Sequence, residues 1–221
     1  MNAAWAEKYK MNPACPDSIR RKAAGSDNHE FCGIVLAGGK SRRMGTDKSE
    51  LTLDGRTFLE IQIQKLQLLG AADIIISGRT SPLPGTRSVM DQHPGLGPLG
   101  GLCSTFPSIT QRCALVLSVD TPLISVSTLK SMLETHFRGS SDATLLDHEG
   151  MVEPLTAVYN TDTVNLLKEL TENGKLAMKA YIDRLHYQLF NFEGGPEELL
   201  NCNSPQDFSM LLSKNRSTTV F

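Results

Sequence analysis

Hydrophobic positions in this chain fall into short blocks that are apolar throughout and longer stretches that are apolar on one side. The blocks read as strands buried on both faces: residues 32–37 (CGIVLA), 73–78 (with Ile74-Ile75-Ile76), a weaker 87–90, 113–119 (CALVLSV), 143–146, 152–159 and 187–192. Between them lie helical patterns. Thr57-Phe58-Leu59-Glu60 forms a capping box, after which Phe58, Ile61, Leu66 and Leu69 share a side until Gly70 stops the helix. Further helices are predicted over residues 125–137, 162–172 and 175–185, and a last one is capped by Ser204 with Pro205 at its first position. Asp147-His148-Glu149-Gly150 reads as a turn between two strands. Strands without a polar face, alternating with helices, predict a three-layer α/β/α fold around a mostly parallel sheet. Ligands of such sheets gather at the carboxyl ends of the strands, which draws attention to the loops after Ala37, Gly78, Met90 and Val119.

The first thirty residues break this pattern, with Pro13, Pro16, the basic triplet Arg20-Arg21-Lys22 and the polar Gly25-Ser26-Asp27-Asn28. We therefore divide the chain into an N-terminal extension, residues 1–30, either disordered or docking on a partner, and one domain, residues 31–221. Forty per cent of the 221 residues are hydrophobic, enough for the core of a body about 17 Å in radius of gyration. Basic residues (22) and acidic ones (24) nearly cancel, so bulk charge argues against nucleic acid or an anionic membrane as partner. No apolar stretch approaches the roughly 18 residues of a spanning helix. The start of the chain mixes Trp5 with Glu7, Lys8 and Lys10, unlike a signal peptide. A cytoplasmic location is expected. The five scattered cysteines, without a C-x-x-C pair, are expected to be independent thiols.

Chemistry concentrates in the loop after the first strand, Leu36-Ala37-Gly38-Gly39-Lys40-Ser41-Arg42-Arg43-Met44-Gly45-Thr46-Asp47-Lys48. Adjacent glycines let backbone N–H groups approach a ligand, and Lys40, Arg42, Arg43 and Lys48 supply fixed positive charge. A polyphosphate needs that combination; a solvated basic turn would show the same residues. The loop is not a Walker A loop, because Gly45 is followed by Thr-Asp-Lys. Gly95-Leu96-Gly97-Pro98-Leu99-Gly100 spells G-x-G-x-x-G but does not directly follow a clean strand and contains Pro98, so it reads as a tight loop and helix start facing the same cleft. The strongest strand ends at Ser118-Val119-Asp120-Thr121-Pro122, where Pro122 bends the chain and presents Asp120 to a hard cation such as Mg2+, or merely caps a loop. Met90-Asp91 repeats the arrangement at a weaker strand, with a base, a metal or an ordinary turn as the alternatives for Asp91. His93, His136, His148 and His186 read as loop or surface residues.

The string L-A-G-G-K-S-R-R-M-G-T-D-K, Asp91 followed by G-P-L-G-G, V-D-T-P, E-P-L-T-A-V-Y at Glu153 to Tyr159 and N-C-N-S-P at Asn201 to Pro205 together resemble the molybdenum cofactor guanylyltransferases, nucleotidyltransferases of Rossmann-like fold. The resemblance implies transfer of GMP from GTP to the molybdopterin form of the cofactor, with release of pyrophosphate. It implies backbone contacts to the nucleotide from Leu36, Ala37 and Gly38, phosphate contacts from Lys48, a guanosine contact from Asp91, and Mg2+ as well as nucleotide on Asp120. Gly39 and Arg43 match the same loop, and Asn201 and Asn203 match a motif on the pterin side. Ser77 stands where relatives can carry an Asn against the nucleotide, which weakens one element of base recognition. The acceptor's phosphate is already ionised, so no strong general base is required. The product's recipients would be molybdoenzyme apoproteins or cofactor-delivery proteins. Alternatives are a cytidylyltransferase of the same cofactor, against which the Ala37-Gly38-Gly39 start argues, a sugar-1-phosphate nucleotidyltransferase, and a non-catalytic nucleotide-binding module.

Overall fold

A computed structural model describes residues 29–38, 47–80, 83–92 and 95–215. Nearly all of the extension, and the loop positions Gly39, Lys40, Arg42 and Arg43, lie outside the described residues, as does His93.

Seven strands form one sheet in the order β5-β4-β1-β6-β8-β7-β9. They are β1 (Phe31–Leu36), β4 (Asp73–Ser77), β5 (Arg87–Val89), β6 (Cys113–Ser118), β7 (Ala143–His148), β8 (Met151–Asn160) and β9 (Tyr187–Asn191). Every pairing is parallel except those of β8, which runs antiparallel to both β6 and β7. The turn predicted before β8 explains this exception. Glu149 (φ 52°) and Gly150 (φ 81°) both adopt left-handed conformations, so β7 doubles back as a tight hairpin and β8 slots between β7 and β6.

Helices close both faces. Strand residues alternate, Val35 packing on one side and Ile34 on the other. On the Val35 side lie α1 (Phe58–Leu68), through Leu59, Ile63 and Leu66, and α3 (Val126–Arg138), through Leu129 and Met132. The Ile34 side is covered by α2 (Gly97–Thr105), α4 (Val164–Glu172) and α5 (Met178–Ile182). The predicted three layers are present. The capping box is present as well: Glu60 N–H donates to Thr57 Oγ1, and Thr57 N–H to Glu60 Oε2. Ser204 caps the final helix, α6 (Pro205–Asn215), accepting from Asp207 N–H at 3.2 Å.

Three local expectations change. The helix expected over 175–185 spans only Met178–Ile182, because the chain leaves Gly174 in a left-handed turn and tightens again after Ile182. An unanticipated hairpin, β2 (Thr52–Leu53) with β3 (Arg56–Thr57), turns at Asp54-Gly55 ahead of α1. His136, expected at the surface, is buried, its ring nitrogens paired with Thr144 Oγ1 (3.0 Å) and Asn160 Oδ1 (3.2 Å). An amphipathic helix facing two strands with polar inward residues has room for such a bridge. Cys32, Cys103, Cys113 and Cys202 are free and buried, and burial pushes the Cys32 thiol up to about 12. No helix among the described residues is long and apolar enough to cross a membrane.

A third, smaller core joins the hairpin to α1 and α6 through Leu53, Phe58, Ile61, Leu123, Cys202 and Leu211. It lies directly beneath the loops considered next.

Candidate active site

β5, β4, β1 and β6 are consecutive parallel neighbours, so their carboxyl ends form one lip about 14 Å wide. Leu36 pairs in register with Ser118, which carries Gly38 and Asp120 two residues further on, to the same end of adjacent strands. Gly78 leaves β4 and Asp91 follows β5 on that end too. The sequence-predicted residues Leu36, Ala37, Gly38, Ser77, Asp91 and Asp120 thus converge.

At the carboxyl end of β4, Ala37 N–H donates to Ser77 O (3.1 Å) from the β1 side, and Gly78 N–H donates to Val89 O (2.9 Å) on the β5 side. The backbones press so closely that a Cβ on Gly78 would sit 2.6 Å from Gly38 Cα, and Gly78 has φ 86°. Only glycine satisfies both conditions. A Cβ on Gly101, in α2, would lie 2.9 Å from Ser77 Oγ and 3.6 Å from Asp91 Oδ1. The G-P-L-G-G helix start therefore forms the wall behind Asp91. Ser77 is itself buried, with its hydroxyl turned to Thr105 Oγ1 at 3.4 Å. Asp91 differs: its Oδ1 is buried with no hydrogen-bond partner, and burial raises its carboxyl above the ordinary value.

The other end of the lip is a charged corner. Lys48 opens a 3-10 turn, Lys48–Glu50, whose cap is Asp47, with Oδ1 accepting from Ser49 N–H (3.0 Å) and Ser49 Oγ (2.7 Å). Arg79, just past Gly78, ties this turn to β4 by donating to Asp47, Ser49 and Glu50. Lys48 Nζ lies 3.6 Å from Asp120 Oδ2 and donates to Asn203 Oδ1. Asn203 arrives from 155 residues away because Cys202 N–H donates to Asp120 O at 2.8 Å, splicing the loop before α6 onto the end of β6. Asn203 N–H in turn donates to Asp207, which holds that carboxyl below its ordinary value. Asn201 is exposed beside it, and burial pushes the Cys202 thiol to about 11. The residue that sequence reasoning passed over is Glu153. Burial first, then the Asp120 charge, lift its carboxyl above the ordinary value, with His148 offsetting part. The sequence signal was its place at the head of the E-P-L-T-A-V-Y string. The antiparallel β6–β8 register, in which Leu117 faces Thr156, runs the earlier part of β8 toward the end of β6 that Asp120 follows.

Among the described residues no three His, Cys, Asp or Glu side chains gather into a ready metal cage. Asp120, with Glu153 close enough to feel its charge, is a sparse oxygen donor set. That fits Mg2+, which takes one or two carboxylates and fills its other positions with water and substrate phosphates. A lip with a cation and carboxylate at one end and an open buried acceptor at the other suits a ligand that is polyanionic at one end and carries N–H donors at the other.

Fold and site define a nucleotidyltransferase of the α/β class. The MobA-like NTP transferase domain matches residues 33–187, and the chain belongs to that family. A probable molybdenum cofactor guanylyltransferase of Chloroflexus aggregans is 31% identical over 206 residues, covering 85% of this chain and 96% of the relative. The molybdenum cofactor guanylyltransferase of Xanthomonas euvesicatoria is 31% identical over 189 residues, covering 84% and 96%. Among solved structures, molybdopterin-guanine dinucleotide biosynthesis protein A of Archaeoglobus fulgidus superposes with a TM-score of 0.72 at 20% identity, covering 85% of this chain and 100% of that one. 2-C-methyl-D-erythritol 4-phosphate cytidylyltransferase of Thermus thermophilus gives 0.63 at 18%, covering 83% and 98%. At these identities the likeness shows the fold.

Proposed function

We propose that this protein transfers GMP from GTP to the molybdopterin form of the molybdenum cofactor. A terminal phosphate oxygen of the acceptor forms a bond to the α-phosphorus, the α–β phosphoanhydride bond breaks, and pyrophosphate leaves. The observation that carries the reading is the lip itself: Lys48, Asp120 and Asn203 meet at one end, and the partnerless Asp91 Oδ1 stands at the other. An ionised carboxylate only accepts hydrogen bonds, and the Watson–Crick edge of guanine offers adjacent N–H donors to it. Cytosine offers no such adjacent pair. Asp91 would therefore orient the base, Leu36, Ala37 and Gly38 would bring backbone groups to the nucleotide, and Lys48 would place positive charge on its phosphates. Arg43 and Gly39 belong to the same cradle by motif. Asn203 would hold Lys48 toward the phosphates, with Asn201 facing the acceptor. Ser77 would act through its backbone carbonyl, which fixes Ala37.

Mg2+ would be held by Asp120, and when bound it would offset the negative charge that brings acceptor and triphosphate into mutual repulsion. The protein's own share is geometric, since an ionised phosphate nucleophile needs alignment more than proton removal. The names of the relatives support the guanine and molybdenum-cofactor assignments. The matched domain begins at residue 33, which supports assigning residues 1–30 to an extension outside the catalytic body. Molybdoenzyme apoproteins or cofactor-delivery proteins would receive the product.

The test is to incubate the protein with Mg2+, molybdopterin cofactor and each nucleoside triphosphate in turn, following pyrophosphate. Release with GTP at least tenfold above CTP is expected. Preference for CTP would make this a cytidylyltransferase, and GTP binding without release would make it a binding module.

A further inference from the structure

The chemistry above leaves unused a buried polar pair on α1. Lys65 is fully buried, the one lysine or arginine so placed among the described residues, and Gln62, one turn earlier on the same face, is fully buried too. Leucines or isoleucines would fill these positions at lower cost, as they do at Leu59, Ile63 and Leu66. Burial pulls the Lys65 ammonium well below its ordinary value, with the charge of Glu198 opposing.

The bonds show what the pair serves. Gln62 Nε2 donates to Ser118 O (2.7 Å) and Thr121 O (3.1 Å). Lys65 Nζ donates to Pro122 O (2.6 Å) and to Gln62 Oε1 (3.2 Å). Cys202 N–H takes Asp120 O. After β6 ends at Ser118 the chain enters neither helix nor strand until α3, so its carbonyls have no ladder partners. The carbonyl of Ser118, at the strand's last residue, and those of Asp120, Thr121 and Pro122 beyond it are held by groups from elsewhere in the fold, three of the four by this pair. Glu198 extends the network, accepting from Ser125 N–H (2.8 Å) and Thr128 Oγ1 (2.9 Å) at the start of α3. The amino end of α1 is bound to the opposite partner: Phe58 N–H donates to Leu51 O (2.8 Å), directly after the Lys48 turn. One helix thus carries both sides of the charged corner.

We propose that Gln62 and Lys65 are positioning residues of the transfer reaction, clamping residues 118–122 so that the Asp120 carboxylate is set against Lys48 and the nucleotide phosphates. This rests on the role given to Asp120 above. The pair does not touch the reacting groups; it removes the freedom of the loop that does.

The experiment uses the full-length chain with Gln62→Leu and Lys65→Met, both near the original volume. Steady-state pyrophosphate release is measured across GTP and Mg2+ concentration, and Mn2+ binding with GTP present is followed by electron paramagnetic resonance. Each variant is expected to lose at least tenfold in kcat, to require at least fivefold more Mg2+ for half-maximal rate, and to bind Mn2+ at least fivefold more weakly. KM for GTP should move less than threefold, because the base contact at Asp91 is separate. In an Asp120→Asn background, Gln62→Leu should cost less than a further twofold. A pair that serves stability alone would lower Tm while leaving kcat, the Mg2+ requirement and Mn2+ binding of the folded protein at wild-type values, and that result overturns the proposal. Failure of both variants to fold also overturns it, marking the pair as folding determinants. Asp120→Ala in parallel separates the two levels. Wild-type turnover there defeats the reading of Asp120, whereas a dead Asp120→Ala beside active Gln62 and Lys65 variants defeats only the clamp.

Discussion

Asp91 and Asp120 sit at the carboxyl ends of β5 and β6, at the two ends of one lip, in opposite surroundings. Around Asp120 the protein has met the carboxylate and tied its backbone from within, although Thr121 Oγ1 beside it is buried without a partner. The backbone carbonyl is taken by Cys202, the neighbouring carbonyls by Gln62 and Lys65, and the carboxylate faces Lys48. Around Asp91 it has not met the carboxylate, since Oδ1 is buried without a partner behind a wall that Gly101 keeps thin. A buried acceptor left open costs stability unless something else supplies the donor. The contrast teaches which end is scaffolded for charge and which is left for a ligand to complete. Under the proposed function this division makes sense, because a metal and a triphosphate would tolerate little displacement, whereas a base would bring its own donors.

The largest effect should come from Asp120→Ala, with pyrophosphate release falling by about a thousandfold or more. Tm should move by less than ~3 °C, because the Lys48 pair is partly exposed and the Cys202 bond uses the backbone. Near-wild-type turnover would erase the charged corner from the comparison. Next comes Gly78→Ala, which forces a left-handed alanine and places its Cβ 2.6 Å from Gly38 Cα. Denaturant unfolding should show a loss of about 2–4 kcal/mol, with a higher KM for GTP. A loss under ~0.5 kcal/mol would mean that the two loops are not pressed together.

The smallest effect sharpens the Asp91 end. Its carboxyl titrates above the ordinary aspartate value, so the folded protein retains a proton that the unfolded chain has already released. Stability of the ligand-free protein therefore falls as pH rises from the ordinary value through the raised one, and stays lower above it. Asp91→Asn removes that penalty. Calorimetry from acid to neutral pH should find the variant more stable than wild type above the window, and the difference should vanish below it. Glu153, raised in the same direction, is common to both proteins and cancels. Selectivity for GTP over CTP should drop about tenfold in the same variant. An unchanged pH profile would show that Asp91 is not the open acceptor described.

Much of the fold was legible in the chain because it is written in local chemistry. The apolar blocks became β1, β4, β6 and β7, the Thr57–Glu60 box capped α1, and Ser204 with Pro205 began α6. The chemistry-bearing loops were legible too, since glycines, Asp91 and Asp120 followed strands whose parallel pairing sends their ends to one side. Local patterns failed where a residue answers to a distant partner. His136 looked like a surface histidine until Thr144 and Asn160 closed on it, and nothing near Gln62 or Lys65 announces the carbonyls they hold.

Periodicity, caps and glycine placement depend on neighbours a few residues apart, so the sequence alone settled most of the elements and the order of the candidate loops, but not the β2–β3 hairpin or the length of α5. Which polar groups meet depends on how strands are ordered across the sheet and on which segments return to it. Only the tertiary structure could bring Asn203 to Lys48, Glu153 within reach of the Asp120 charge, and a buried lysine beneath the loop that carries Asp120.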